Sequence, residues 1–393
     1  MYEVYLKKNE DKRIREGHPW VYANEVSHID GKGKNGDLAA VYDAAGNLIG
    51  KGYINHLSKI LVRLFIFDDS VPDKAFFMSR IKAANDYRIR LGFTNCYRMV
   101  FAEADNLPAL IIDRYDDVYC MQVLSLGMEQ NKQLIVDALV ELFAPRGIYE
   151  RSDAAVREKE GLPLTKGKLY GDFDPRVTIV ENGLTMIADL ENGQKTGYFL
   201  DQKENRMALR RYVKDADVLD CFCNVGGFSV NAAAGGAKSV TALDISERAL
   251  ADVNENAKLN GYENIVKTEC GDVFELLRTY KKDGRRFDTV ILDPPAFCKS
   301  AADVKGAYRG YKDINILGMK CVKSGGFLIT ASCSHYMTAP LFEKMLREAA
   351  RDAGVIARTV EFRTQSADHP ALIAAEETTY LKFYVLQILS RTE

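Results

Sequence analysis

Two short segments carry side chains that could do covalent chemistry together: Asp293-Pro294-Pro295-Ala296-Phe297 and Ala331-Ser332-Cys333-Ser334-His335. The first holds a carboxylate on backbone stiffened by two prolines, which loses little entropy when it meets a planar base. The second supplies a thiol. A thiolate adding at C6 of cytosine turns the poorly nucleophilic C5 into an enamine carbon, so this pairing suits carbon methylation of a pyrimidine. A lone cysteine is more often a structural core residue. Cys333, however, is flanked by Ser332, Ser334 and His335, polar groups that would be costly in a dry core. Cys298 is a rival, five residues past Asp293, with Lys299 beside it to favour a thiolate.

Both segments follow apolar runs, 288–292 and 327–330, that read as strands. Parallel strands would bring the acid and the thiol to their carboxyl ends, where α/β sheets bind ligands. From residue 201 the pattern alternates: helices at 201–212, 227–235, 246–260, 272–280, 310–323 and 339–353, with strands at 217–220, 239–243, 265–270, 287–292 and 326–331. Such alternation demands crossover connections and a parallel sheet covered on both faces. Two last runs, 356–362 and 380–389, have no helix between them and predict an antiparallel pair at one edge.

The preceding residues read differently. Short alternating runs at 2–6, 38–42, 48–53 and 60–67, broken by glycines, predict a small β-barrel over 1–72. Phe76, Phe77, Ile81, Ala84 and Tyr87 then recur at helical spacing, with Arg80, Lys82, Arg88 and Arg90 outside the stripe. Strands at 97–102, 109–114, 118–126 and around 148–150, with a helix at 129–142, make 73–175 a central α+β module, in which 152–168 reads as a linker or exposed loop. The third domain is 176–393, opening with a hairpin at Asn182-Gly183, whose residues suit the positive φ angles of a type I′ turn.

Composition narrows the class. The 393 residues are 47% hydrophobic and 27% charged, as in a globular protein with two or three domains. The charged first 17 residues lack the apolar stretch of a signal peptide, and no apolar run reaches the roughly 18 residues of a membrane span, so a cytoplasmic protein is expected. Eight scattered cysteines, with Cys221-x-Cys223 the one close pair, predict reduced thiols and no metal site. A net charge of −2 leaves any RNA to local patches: Lys7, Lys8, Lys12, Arg13 and Arg15; Lys203, Arg206, Arg210 and Arg211; or Arg309 and Lys312. Each cluster alone is more simply a solvated face.

The turn Asn224-Val225-Gly226-Gly227-Phe228-Ser229 fails the dinucleotide GxGxxG pattern, which demotes a nicotinamide dehydrogenase. Asp244, eighteen residues past Gly226, could accept both hydroxyls of a ribose. Asp272 could meet an adenine amine or simply cap a helix. Asp220 and the glycine turn, Asp244, Gly271-Asp272 and Asp293-Pro294-Pro295 in this order resemble class I S-adenosylmethionine-dependent methyltransferases, whose Rossmann-like seven-stranded sheet ends in an antiparallel pair. The segment 194–202 resembles the one lidding the methionine end in RNA-acting members. The resemblance implies S-adenosyl-L-methionine held by Tyr198, Asp201, Gln202, Asp220, Phe222, Asn224, Gly226, Asp244, Ile245, Asp272, Val273 and Asp293.

Asp293-Pro294-Pro295-x-Phe297, Gly306 to Asn315, Ser332-Cys333-Ser334 and Ala367-Asp368-His369-Pro370 together resemble one family: bacterial large-subunit ribosomal RNA cytosine-C5 methyltransferases with an N-terminal PUA domain. His18-Pro19-Trp20-Val21 and the glycine-rich strands resemble its PUA part; Asp105-Asn106-Leu107-Pro108 and Ile112-Asp113-Arg114-Tyr115 its central module. The resemblance implies Cys333 as nucleophile, since Ala296 stands where other members place a cysteine, and Asp293 as its acidic partner. It implies base and RNA contacts from Pro294, Pro295, Phe297, Arg309, Lys312, Ser332, Ser334, His335 and His369, large-subunit ribosomal RNA as partner, and a homodimer. The rivals are a guanine-nitrogen methyltransferase with the same cofactor, and an RNA-binding assembly factor without turnover.

Overall fold

The computed structural model describes residues 1–298 and 300–391. Its chain contacts divide it into two units, the first formed by Met1–Ile179, Ala188–Asp201 and Ala367–Thr378, the second by Val180–Ile187, Gln202–Ser366 and Thr379 onward.

In the first unit, β1 (Tyr2–Leu6), β2 (Trp20–Tyr22), β3 (Val26–Asp30), β4 (Leu38–Tyr42), β5 (Leu48–Ile54) and β6 (Ile60–Ile66) form one sheet in the order β2-β6-β5-β4-β1-β3. Val4, Val21, Val41, Ile54, Val62 and Leu64 fill its core, each contributing about 1.5–3 kcal/mol by burial. Gly52 lets β5 approach β6 closely, because a Cβ there would collide with the Arg63 carbonyl. β2 and β3, absent from the sequence reading, are too short or too polar to show a period.

Helix α1 (Lys12–Arg15) is a single turn, and α2 (Lys74–Arg90) starts where Asp73 accepts the Phe76 amide at 2.8 Å. The next sheet, β7 (Cys96–Phe101), β8 (Leu110–Tyr115), β9 (Val118–Val123), β10 (Gly147–Ser152) and β11 (Thr165–Tyr170), is ordered β11-β10-β9-β8-β7, with α3 (Leu126–Gln130) and α4 (Lys132–Phe143) between β9 and β10. Two expectations are corrected here. Arg88 does not lie outside the apolar stripe; it is fully buried, its guanidinium forked onto Asp105 at 2.6 and 2.8 Å and capping the Asp368 carbonyl, while Tyr87 is exposed. Residues 152–168 are not a loose linker either. Arg157 and Glu160 are buried, Arg157 on Glu129 at 2.9 Å and Glu160 accepting from Arg63 and Asn55 at 3.0 Å. Charge in this stretch signals buried pairing, which composition cannot distinguish from solvation.

Strands β12 (Arg176–Glu181) and β13 (Leu184–Asp189) form the hairpin, with φ of 55° at Asn182 and 77° at Gly183. The second unit carries α5 (Lys203–Leu209), β14 (Asp217–Cys221), α6 (Gly227–Ala234), β15 (Ser239–Asp244), α7 (Glu247–Leu259), β16 (Val266–Cys270), α8 (Val273–Lys282) and β17 (Phe287–Leu292). There follow α9 (Val304–Cys321), β18 (Val322–Ser332), α10 (Ala339–Ala353), β19 (Val355–Arg363) and β20 (Lys382–Ser390). The sheet order is β16-β15-β14-β17-β18-β20-β19, parallel except where β20 meets its neighbours. One core packs α8, α9 and α10 on one face, with Leu277, Ile314 and Phe342; the other includes Leu209, Ala232 and Val253 from α5, α6 and α7. Helix α9 begins at Val304 rather than residue 310: Gly306 and Gly310 look like breakers but lie inside it. Among the described residues no helix is long and apolar enough to cross a membrane.

Candidate functional site

Strand order reverses between β14 and β17, so both release their chains into the crevice where doubly wound sheets take ligands. The turn after β14 is strained: Phe222, Asn224 and Gly226 have φ of 61°, 50° and 81°. Left-handed backbone at a bulky residue such as Phe222 costs about 1–3 kcal/mol and persists where surrounding structure over-determines it, often at functional turns. Asp244 over-determines this one by accepting the Asn224 amide at 2.9 Å, while its other oxygen takes the Ser246 amide at 3.0 Å. Asp244 stays half-buried, and Ile245 beyond it is 71% exposed. Asp272 is the N-cap of α8, accepting the Glu275 amide at 3.1 Å, and Val273 is buried behind it.

Beneath the turn, Asp220 is fully buried. Its Oδ2 accepts from Ser229 Oγ at 2.6 Å, whereas its Oδ1 has no hydrogen-bond partner. Burial first, and then the Asp293 and Asp244 charges, push its carboxyl up to about 7 against the opposing pull of Ser229.

At the end of β17, Asp293 is half-buried, its Oδ2 accepting from Gln202 Nε2 at 3.1 Å. Pro294 is buried and Pro295 exposed; Phe297 packs its ring 4.7 Å from that of Tyr311. On the adjacent strand β18, Thr330 pairs with Leu292, so Cys333 leaves the sheet next to Asp293's strand. Cys333 is half-buried, and His335 after it is exposed. The flanking serines do not mark a wet surface as their polarity suggested. Ser332 and Ser334 are buried and satisfied: Ser334 Oγ lies 3.0 Å from the Tyr311 hydroxyl and accepts the Cys298 amide at 3.3 Å, and its carbonyl accepts a hydrogen bond from Lys382 Nζ at 2.7 Å.

Cys298 is 4% exposed, its thiol directed at the Ser300 carbonyl at 3.2 Å and pushed up by burial. Lys299, expected to activate it, lies outside the described residues. Arg309 is exposed on α9, but Lys312 is turned onto α10, 2.7 Å from Asp352 and 3.5 Å from Glu348, rather than offered to phosphate. Of the second basic cluster, Arg211 is exposed, while Arg206 and Arg210 are spent internally. Arg206 forks onto buried Glu181 at 2.6 and 2.7 Å, and Arg210 holds Asn231 and the Asn182 carbonyl.

Tyr198, Asp201 and His369 belong to the first unit. Tyr198 is buried; Asp201 is buried and takes Lys195 at 3.3 Å; His369 is 2% exposed, its Nδ1 2.8 Å from Asp368. The reading of residue types missed Lys382 and Ser229. Lys382 left a signal, a single cation heading the apolar run of β20; Ser229 left none beyond helical spacing from the turn.

A PUA-like domain family matches residues 4–67, and an S-adenosylmethionine-dependent methyltransferase family matches residues 165–383. The chain is 43% identical over 394 aligned residues to ribosomal RNA large subunit methyltransferase I of Vibrio cholerae, covering 98% of this chain and 99% of that one. The Alteromonas mediterranea protein of the same name is 42% identical, with 98% of each chain covered. Among solved structures, a candidate SAM-dependent methyltransferase from Streptococcus mutans shares the fold with a TM-score of 0.84 at 21% identity, over 98% of this chain and all of that one. A strained glycine turn over a buried acid, with a family match across more than half its length, leaves one assignment: the chain belongs to the S-adenosylmethionine-dependent methyltransferases that carry an N-terminal PUA-like domain.

Proposed function

We propose that this methyltransferase acts on large-subunit ribosomal RNA and forms 5-methylcytosine through a covalent bond between Cys333 and C6. The relatives' shared name supports the RNA class. The observation that carries the chemistry is the half-buried Cys333 leaving β18 beside β17, the strand that ends in Asp293.

The residues fit the cofactor. Asp220 keeps an unpartnered buried oxygen, and Gly226 leaves room where a Cβ would press Val253 at 3.0 Å. Asp220, the 222–226 turn, Asp244 and Asp272 would hold it. When bound, S-adenosylmethionine supplies a methyl group on a positively charged sulfur, the electrophile that an activated C5 requires.

The target cytosine, turned out of its RNA context, presents N3 to Asp293, a carboxylate already oriented by Gln202. Cys333 Sγ adds to C6 as a thiolate while N3 takes a proton from solvent, and Asp293 stabilises the positive charge that N3 then carries. After methylation, C5 gives its proton to water as the Sγ–C6 bond breaks and N3 returns its own to solvent, restoring both the aromatic ring and the thiolate. Ala296 stands where many enzymes that methylate exocyclic nitrogens carry an aromatic residue, which weakens the case for nitrogen. RNA containing 5-fluorocytosine tests the proposal, because fluorine blocks the last elimination. A covalent adduct on a denaturing gel is expected with wild type and Cys298→Ala and not with Cys333→Ala. Methyl transfer to unmodified RNA without any adduct would overturn the thiol mechanism and favour a guanine nitrogen.

A further inference from the structure

Strand β20 is apolar and almost wholly buried through Phe383, Tyr384, Val385 and Leu386, yet it begins with Lys382, itself 4% exposed. Register places Lys382 opposite Ser332, the last residue of β18. Its Nζ donates to the carbonyls of Ser334 and Tyr380, both at 2.7 Å. These acceptors are neutral, and among the described residues no carboxylate pairs with this ammonium. Burying a cation without a counter-charge is costly, and burial does push Lys382 down, to about 8; the one charge that pulls it back up is Cys333. The other titratable groups at this turn are Tyr311 from α9, which also senses Cys333; Cys298, whose amide donates to Ser334 Oγ while its thiol turns to the Ser300 carbonyl; and Asp293 at the end of β17, whose negative charge would oppose a thiolate. His335 is exposed two residues further on. The cation that can offset Asp293 from inside the sheet is therefore Lys382.

We propose that Lys382 is a positioning residue for Cys333: clamped by the Ser334 and Tyr380 carbonyls, its ammonium fixes the turn after β18 and holds the Cys333 sulfur as a thiolate. The Cys333 proton leaves to solvent and Lys382 keeps its own, so no further reactant is needed. The ammonium does not touch the base; it sets how much of the nucleophile is ready at neutral pH. This inference rests on the reading of Cys333 as the nucleophile.

The test is the pH dependence of Cys333 alkylation by iodoacetamide, followed by mass spectrometry of the Cys333 peptide, with exposed Cys270 as internal reference. It uses the full chain without RNA or cofactor. Wild-type Cys333 should titrate below the ordinary thiol value of about 8.5. Lys382→Met should raise the midpoint by at least about one unit, slowing alkylation near pH 7 by about tenfold, and Lys382→Arg should hold the wild-type midpoint. Cys270 should not change. A wild-type midpoint at or above the ordinary thiol value overturns the proposal even if Lys382→Met fails to fold. A folded Lys382→Met with a wild-type midpoint overturns it as well. Failure of the cytosine reading appears elsewhere, as methylation that survives in Cys333→Ala, and leaves the alkylation result standing.

Discussion

Replacing Asp220 by Asn isolates the charge that the site pays most to keep. In the folded chain this carboxyl titrates at about 7, against about 3.9 when unfolded. A raised carboxyl pKa means that the folded state binds the proton more tightly. Below the unfolded value both states are protonated and nothing is lost; as pH rises from the unfolded to the folded value the native state loses stability. The gap of about three units corresponds to about 4 kcal/mol, fully developed above neutral pH. Asn keeps the acceptor for Ser229 and carries no charge, so the cofactor-free variant should gain up to about 4 kcal/mol over wild type at pH 8 and only about 1 kcal/mol near pH 4.5. Binding reverses the benefit. A cofactor with a sulfonium and an ammonium favours ionised Asp220, so wild-type affinity for S-adenosylmethionine should rise about tenfold between pH 6 and 8, following the ionised fraction, with proton release. The variant should bind more weakly at pH 8 and lose that slope. Urea unfolding across pH 4.5–8 and titration calorimetry in buffers of different ionisation enthalpy measure both effects. Equal pH slopes for Asp220→Asn and wild type would refute the reasoning, placing the pH-sensitive group elsewhere.

Two further predictions concern charges that the fold has put to internal use. Arg206→Met removes the guanidinium forked onto buried Glu181 and should cost about 3–5 kcal/mol in urea unfolding, whereas Arg206→Met with Glu181→Leu should recover most of it; equal losses in both would show that packing, not charge, is at stake. Arg309→Ala should weaken RNA binding and flatten its salt dependence by about one counterion, while Lys312→Ala, already neutralised by Asp352, should leave the salt slope unchanged. The reverse pattern would make Lys312 the phosphate contact.

The alternation of helix and strand beyond residue 200 was legible because the central strands carry short apolar runs and the turns between them carry their own punctuation; β17 and α10 fall at the expected residues. The acids at successive strand ends were legible for the same reason, since a charge that stops an apolar run is visible without coordinates. What stayed hidden is pairing at a distance. Arg88, Arg157 and Arg206 read as surface residues, yet each is buried against a partner many positions away. Composition records the charge and not the counter-charge, so three residues expected at the surface are parts of the interior.

The same limit governs the choice between the cysteines. By residue type Cys298 and Cys333 were near equals, each a thiol close to polar neighbours. The fold separates them through Ser334, whose hydroxyl takes the Cys298 amide and meets Tyr311 while its carbonyl receives Lys382. That buried knot closes over Cys298 and leaves its thiol committed to the Ser300 carbonyl. It also stiffens the turn that carries Cys333, so the half-exposed thiol stands on well-determined backbone. A nucleophile needs both access and a fixed trajectory, and of the two cysteines Cys333 is the one that combines them.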